Sequence, residues 1–139
     1  MADPIIVVTC SGVGKPFGTI AREATYCVVE DLKKGETDPI CLSLLVMGDE
    51  DAKRLVKAHR CVAIDGCPSE CAKKNLELSG ATLAANFRVV DILKEYKDLK
   101  PRSVTFLDED GRRLAKLLAE KVALKIDELN QGGLPNDYT

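Results

Sequence analysis

The sequence predicts an α/β domain: a three-layer sandwich in which a small, mainly parallel sheet of three to four strands is flanked by helices. Three observations predict it. Ile5 to Cys10 (IIVVTC) is an unbroken apolar, β-branched run, the pattern of a strand buried on both faces. Arg60 to Asp65 (RCVAID) repeats that pattern. Between and after these runs the apolar residues recur at spacings of three and four, so strands alternate with helices.

Each element can be justified in order. After the first strand, Ser11-Gly12-Val13-Gly14-Lys15-Pro16 is a loop by its glycines and proline. Phe17 to Lys34 is helical, with Phe17, Ile20, Ala24, Cys27, Val28 and Leu32 on one stripe and Gly35 as the stop. Asp38-Pro39 reads as an N-cap and first helical position, favouring a helix through Ile40 to Met47 over the strand that the same run also allows. Gly48-Asp49 resets the chain and Glu50 to His59 forms a further helix. The strand Arg60 to Asp65 is followed by a helix from Pro68 to Ser79, ended by Gly80. Phe87 to Ile92 (FRVVDI) is expected as a third strand and Val104 to Leu107 as a short fourth. Asp108 then caps a long helix to about Asn130, carrying Leu114, Leu118, Val122, Ile126 and Leu129 on one face. The expected organisation is a single domain over 1–130, Rossmann-like in its alternation, with a flexible tail at 131–139.

Composition narrows the function. At 139 residues, 45% hydrophobic and 30% charged, the chain is long enough to bury a core without disulfides or a metal. A net charge of −2 supplies no field for nucleic acid or an anionic membrane, and 4% aromatic residues with no Trp make base-stacking platforms improbable. No apolar run approaches the ~18 residues of a membrane span. The Pro4 to Cys10 run is too short for a signal segment and lacks a preceding basic residue. A cytoplasmic location is expected, where thiols stay reduced and six cysteines read as metal ligands or reactive groups before disulfides.

Ligands of a parallel α/β sheet sit beyond the carboxyl ends of its strands, and that rule sorts the six thiols. Cys10 closes the first strand and Cys67 stands just past the second. If those strands are neighbours their ends lie ~5 Å apart. Cys71 follows Cys67 by four residues, returning to the same side if the helix starts near Pro68. Cys41 falls in the first turn of the segment that Asp38-Pro39 opens. Cys61 lies at the opposite end of its strand, ~16 Å from Cys67, and Cys27 lies on an apolar helical stripe. For both of these, core filler is the better reading. His59, the single histidine, ends a helix on that far side and reads as solvated.

Buried filler is the bland reading of Cys10, Cys41, Cys67 and Cys71 too. Their convergence on one edge favours a metal. Four thiolates suit Zn2+, and an iron–sulfur cluster uses the same ligands. Several enzyme motifs fail on the first loop. Gly14-Lys15 is followed by Pro16 where a phosphate loop needs Ser or Thr, and Phe17 stands where the dinucleotide fingerprint needs glycine. The loop has no arginine to clamp phosphate after Cys10, and no histidine lies near to pair with a thiol.

Ile64-Asp65-Gly66-Cys67-Pro68 with Cys71-Ala72-Lys73-Lys74 closely resembles the signature of the DGC-domain family, named for its Asp-Gly-Cys. Cys10-Ser11-Gly12 is similar to that family's amino-terminal cysteine loop and Cys41-Leu42 to its second cysteine position. The resemblance implies zinc binding by Cys10, Cys41, Cys67 and Cys71, the same thiols that strand-end geometry selects, and implies no particular reaction. Gly66 is expected to permit a close turn, at positive φ, and Asp65 to accept N–H bonds that shape it or to orient toward the metal loop. Lys15 and Lys73 are placed to offset the charge of a zinc tetrathiolate; Lys74 reads as a solvated surface lysine. The leading expectation is a metal carrier, reservoir or sensor. The alternatives are a zinc-dependent enzyme with three cysteines and an open position, and a thiol redox protein. Partners beyond the metal ion are not legible, and Leu117 and Leu124 beside the main stripe of the last helix suit either a monomer with one wide packed face or a homodimer.

Overall fold

Strands buried on both faces need helices on both faces, and the computed structural model, which describes residues 4–10, 16–66, 69–103 and 106–132, has that arrangement. Its strands are β1 (Ile5–Cys10), β2 (Thr37–Cys41), β3 (Arg60–Asp65) and β4 (Thr82–Arg88). Its helices are α1 (Pro16–Cys27), α2 (Leu42–Val46), α3 (Glu50–Ala58), α4 (Cys71–Leu78), α5 (Val89–Glu95) and α6 (Glu109–Gly132). The strands form one parallel sheet in the order β2-β1-β3-β4.

The two central strands explain the two unbroken apolar runs. Ile5 to Val8 and Cys61 to Ile64 are all fully buried. Alternation divides them between two cores. Ile5, Val7, Val62 and Ile64 pack with Ile20 and Ala24 of α1, Val89 and Ile92 of α5, and Leu114, Leu118, Val122 and Ile126 of α6. Ile6, Val8, Cys61 and Ala63 pack on the other face with Leu45 of α2, Ala52 and Val56 of α3, and Ala72 and Leu76 of α4. Leu117 packs against the first of these cores, while Leu124 stays exposed.

Several element boundaries differ from expectation. Asp38-Pro39 does not open a helix: both residues lie inside β2, and the helix begins only at Leu42. Because β2 is an edge strand, it tolerates a residue with no N–H to donate. The first long helix stops at Cys27 and passes into a π-helical turn, Val28–Leu32, closed by Lys33 N–H on the Val28 carbonyl at 2.7 Å. The expected strand Phe87 to Ile92 is half strand and half helix. β4 starts earlier, at Thr82, and the chain turns into α5 at Val89. Leu83-Ala84-Ala85 has little intrinsic preference for a strand, but pairing with β3, across a bulge between Cys61 and Val62, holds it extended. Of the expected strand Val104 to Leu107, Val104 and Thr105 lie outside the described residues, and Phe106 and Leu107 are irregular. The last helix continues to Gly132, and 133–139 lie outside the described residues.

Candidate functional site

The chain leaves β1 for α1, on one face of the sheet, and leaves β3 for α4, on the other. Adjacent parallel strands whose following helices diverge in this way open a crevice at their carboxyl ends, the switch point where α/β sheets bind ligands. Here that point lies between β1 and β3, and the residues that meet there in register are Cys10 and Asp65.

Asp65 is 1% exposed, and its carboxylate holds the start of α4. Oδ1 accepts the Ala72 N–H at 2.8 Å and Oδ2 accepts the Lys73 N–H at 3.1 Å. Burial raises its pKa, and these two N–H groups offset only part of that rise. A residue at the end of a strand thus caps a helix six positions on, and fixes where Cys71, the first residue of α4, sits relative to Cys10. Gly66 completes the junction. A Cβ there would lie 2.9 Å from the Phe17 carbonyl carbon and oxygen and from the Gly18 nitrogen, so β3 and the start of α1 meet across a bare glycine. Gly66 does not adopt positive φ, contrary to expectation; close approach is its function.

The residue in the left-handed region is instead Glu70, at φ 56° and ψ 48°, directly before Cys71. Its carboxylate accepts Asn86 Nδ2–H at 3.2 Å and pairs with Lys73 Nζ at 3.9 Å. Lys73 therefore has an anionic partner of its own, and Lys74 is exposed. α4 starts at Cys71, three residues later than expected, and Ser69 and Glu70 before it are not helical. Cys67 itself, with Ser11, Gly12 and Lys15, lies outside the described residues.

Cys41 ends β2, in register with Thr9, and is exposed. Its thiol pKa is lowered, first by a hydrogen bond from the Ser43 side chain and then by the Ser43 backbone N–H. Cys10 packs with Val8 and Ile40 on the α4 face, so pleat alternation directs Cys41, next to Ile40, toward the α1 face. Both line an open cleft of about 640 Å³ at the corner of α1, β2 and α2. Among the described residues, no three His, Cys, Asp or Glu side chains are grouped closely enough to hold a metal ion.

The other two cysteines are set apart chemically as well as spatially. Cys61 is fully buried, its thiol donates to the Val56 carbonyl at 3.4 Å, and burial pushes its pKa up to about 11. Cys27 is half-buried with its pKa raised, chiefly by burial and then by Asp31. His59 is on the far side of the sheet, where its Nδ1 bonds the Leu55 carbonyl at 2.9 Å. Arg22, Tyr26, Ser43 and Glu70 enter the edge without having been read as site residues. Only Ser43, two positions after Cys41 as a hydroxyl that bonds locally, had a sequence signal.

The fold and edge define a class: a doubly wound α/β domain whose switch point carries thiols. The DGC domain family matches residues 6–116, from β1 into the first turns of α6, and the chain belongs to that family. Neither curated proteins nor solved structures give a match. Among the described residues no helix is long and apolar enough to cross a membrane.

Proposed function

We propose that this chain is a zinc-binding protein of the cytoplasm, in which Cys10, Cys41, Cys67 and Cys71 hold the ion and its occupancy changes, as in a metal carrier, reservoir or sensor. The observation that carries this reading is the sorting of thiols. Cys10, Cys41 and Cys71 are at the carboxyl edge, two of them exposed and one half-buried, and Cys41 has a lowered pKa. Cys27 and Cys61 are packed against the cores with theirs raised. Metal binding requires thiolate, and the sorting keeps thiolate chemistry at the edge. Membership of the DGC domain family is consistent with a metal-binding protein.

The donor set fits a soft ion such as Zn2+, which four thiolates hold tetrahedrally. Cys10 and Cys41 alternate across the pleat, so closing all four thiols on one ion requires the edge segments to rearrange. That coupling between closure and occupancy suits an exchangeable metal better than a fixed clip. Asp65 contributes by positioning Cys71, and the Ser43 hydroxyl by favouring the Cys41 thiolate.

The test is zinc content by elemental analysis, with free-thiol counts before and after chelation. Serine at Cys10, Cys41, Cys67 or Cys71 is expected to lower bound zinc, and serine at Cys27 or Cys61 to leave it near wild type. Full retention in Cys67→Ser and Cys71→Ser overturns the reading. A zinc-dependent enzyme is the second reading, favoured by the cleft beside Cys10 and Cys41. Zinc retained by Cys41→Ser alone would select it, with three thiolate ligands and an open fourth position.

A further inference from the structure

The cleft at the corner of α1, β2 and α2 has features that the metal reading does not use. Its volume, about 640 Å³, is in the range of small-molecule sites. Ile40, Leu42, Val46, Met47 and Tyr26 line it, and the last three are large side chains exposed at 64%, 74% and 45%. Among the described residues that line it, one carries a formal charge, the half-buried guanidinium of Arg22, and none is Asp or Glu. Among the described residues Arg22 has neither an ion pair nor a hydrogen bond. Thr9 also lines the cleft, and its buried Oγ1 has no hydrogen-bond partner among the described residues. Thr25, by contrast, has its hydroxyl committed to the Ala21 carbonyl at 2.9 Å.

An unpaired cation and a buried, unpaired hydroxyl beside an apolar wall are both incomplete in the same sense. Each is a donor that lacks an acceptor. We infer that this cleft binds a small organic monocarboxylate, its carboxylate taken by Arg22 and Thr9 and its apolar body laid against Ile40, Leu42, Val46 and Met47. The guanidinium fork matches a carboxylate in plane with two parallel hydrogen bonds. Arg22, the one cation among the described lining residues, suits a monoanion rather than a dianionic phosphate, and the apolar wall requires an apolar body behind the charge. The inference goes beyond zinc binding and does not depend on it. The cleft shares Cys10 and Cys41 with the edge, which places such a ligand next to the thiols.

The test uses the full chain, reduced and treated with chelator, so that no metal can itself bind a carboxylate. Hexanoate, 1-hexanol and hexylammonium are titrated in turn and followed by backbone amide shifts. Hexanoate is expected to saturate and to bind at least ~10-fold tighter than 1-hexanol, equivalent to about 1.4 kcal/mol; hexylammonium is expected to bind more weakly than either. Arg22→Gln should bring hexanoate down to the level of hexanol without changing hexanol, and Arg22→Lys should restore part of the preference. Equal binding of hexanoate and hexanol by the wild-type chain overturns the inference, as does a preference that survives Arg22→Gln in a folded variant. The wild-type comparison needs no substitution, so a variant that fails to fold cannot protect the idea. Zinc content is measured separately. Lost carboxylate preference with zinc retained sinks only this inference, and the reverse pattern sinks only the metal reading.

Discussion

Gly66 and Asp65 show how much of the site rests on single atoms. A side chain on Gly66 would push its Cβ to 2.9 Å from the backbone of Phe17 and Gly18, and backbone cannot swing aside as a flexible side chain can. Gly66→Ala should therefore displace the start of α1 and cost ~1–3 kcal/mol, the usual range for overpacking. Urea denaturation measures this, and unchanged stability would mean that the contact is absent. Asp65→Ala should expose a different weakness. It leaves the Ala72 and Lys73 N–H groups without their acceptor, at a cost of ~1–3 kcal/mol. Amide exchange should speed up first at Ala72 and Lys73; uniform acceleration along α4 and β3 would argue against a local capping role. The Asp-Gly pair marked this close turn from sequence, but the positive φ also expected at Gly66 is not adopted. Crowding by a segment some fifty residues earlier leaves no local trace.

At the scale of elements, the boundaries that moved are those where a neighbour overrode local preference. Asp38-Pro39 has the form of a helix start, yet the edge of β1 recruits it into β2. Asp108 is the opposite case, a cap that local chemistry decided. It precedes α6, accepts Gly111 N–H at 2.8 Å, and gathers Arg102 N–H at 2.9 Å and Ser103 N–H at 3.3 Å on its other oxygen. These donors, Arg102 first, hold its pKa below the ordinary carboxylate value. Its folded pKa being the lower one, the stabilisation is complete above the unfolded value and is lost as pH falls through the folded value. Asp108→Asn should accordingly lower the melting temperature at neutral pH and flatten the loss of stability on acidification. Thermal melts from neutral to strongly acid pH check this, and parallel curves for the two proteins would show that Asp108 is not the group responsible.

The whole molecule decides what a metal can and cannot be doing. Two cores clad the sheet, one under α1, α5 and α6 and one under α2, α3 and α4, and among the described residues neither includes an edge thiol other than the half-buried Cys10. A small finger without such cores depends on ~10–16 kcal/mol of apparent zinc binding to fold. An ordinary domain has ~5–15 kcal/mol from its core alone. Chelated, reduced protein is therefore expected to keep its far-ultraviolet circular dichroism, with faster amide exchange confined to the carboxyl edge around Cys10, Cys41 and Asp65 to Cys71. Global unfolding on chelation would make the metal a folding clip and remove the case for a carrier or sensor.

The sequence by itself determined the class of fold, its two central strands and the placing of Cys10 and Cys61 at opposite ends of theirs. These are written in local terms: unbroken apolar runs, helical periodicity, and cysteines placed at one end of a strand or the other. Tertiary structure alone decided that β1 and β3 are neighbours, that Cys10 and Asp65 meet in register, and that Cys10 and Cys41 fall on opposite sides of the pleat. It also decided that Arg22 and Thr9 share a cleft. Strand order and register arise from which surfaces pack best together over long separations in the chain. A one-residue change of register would turn every side chain to the other face, and no short stretch of residues encodes that choice.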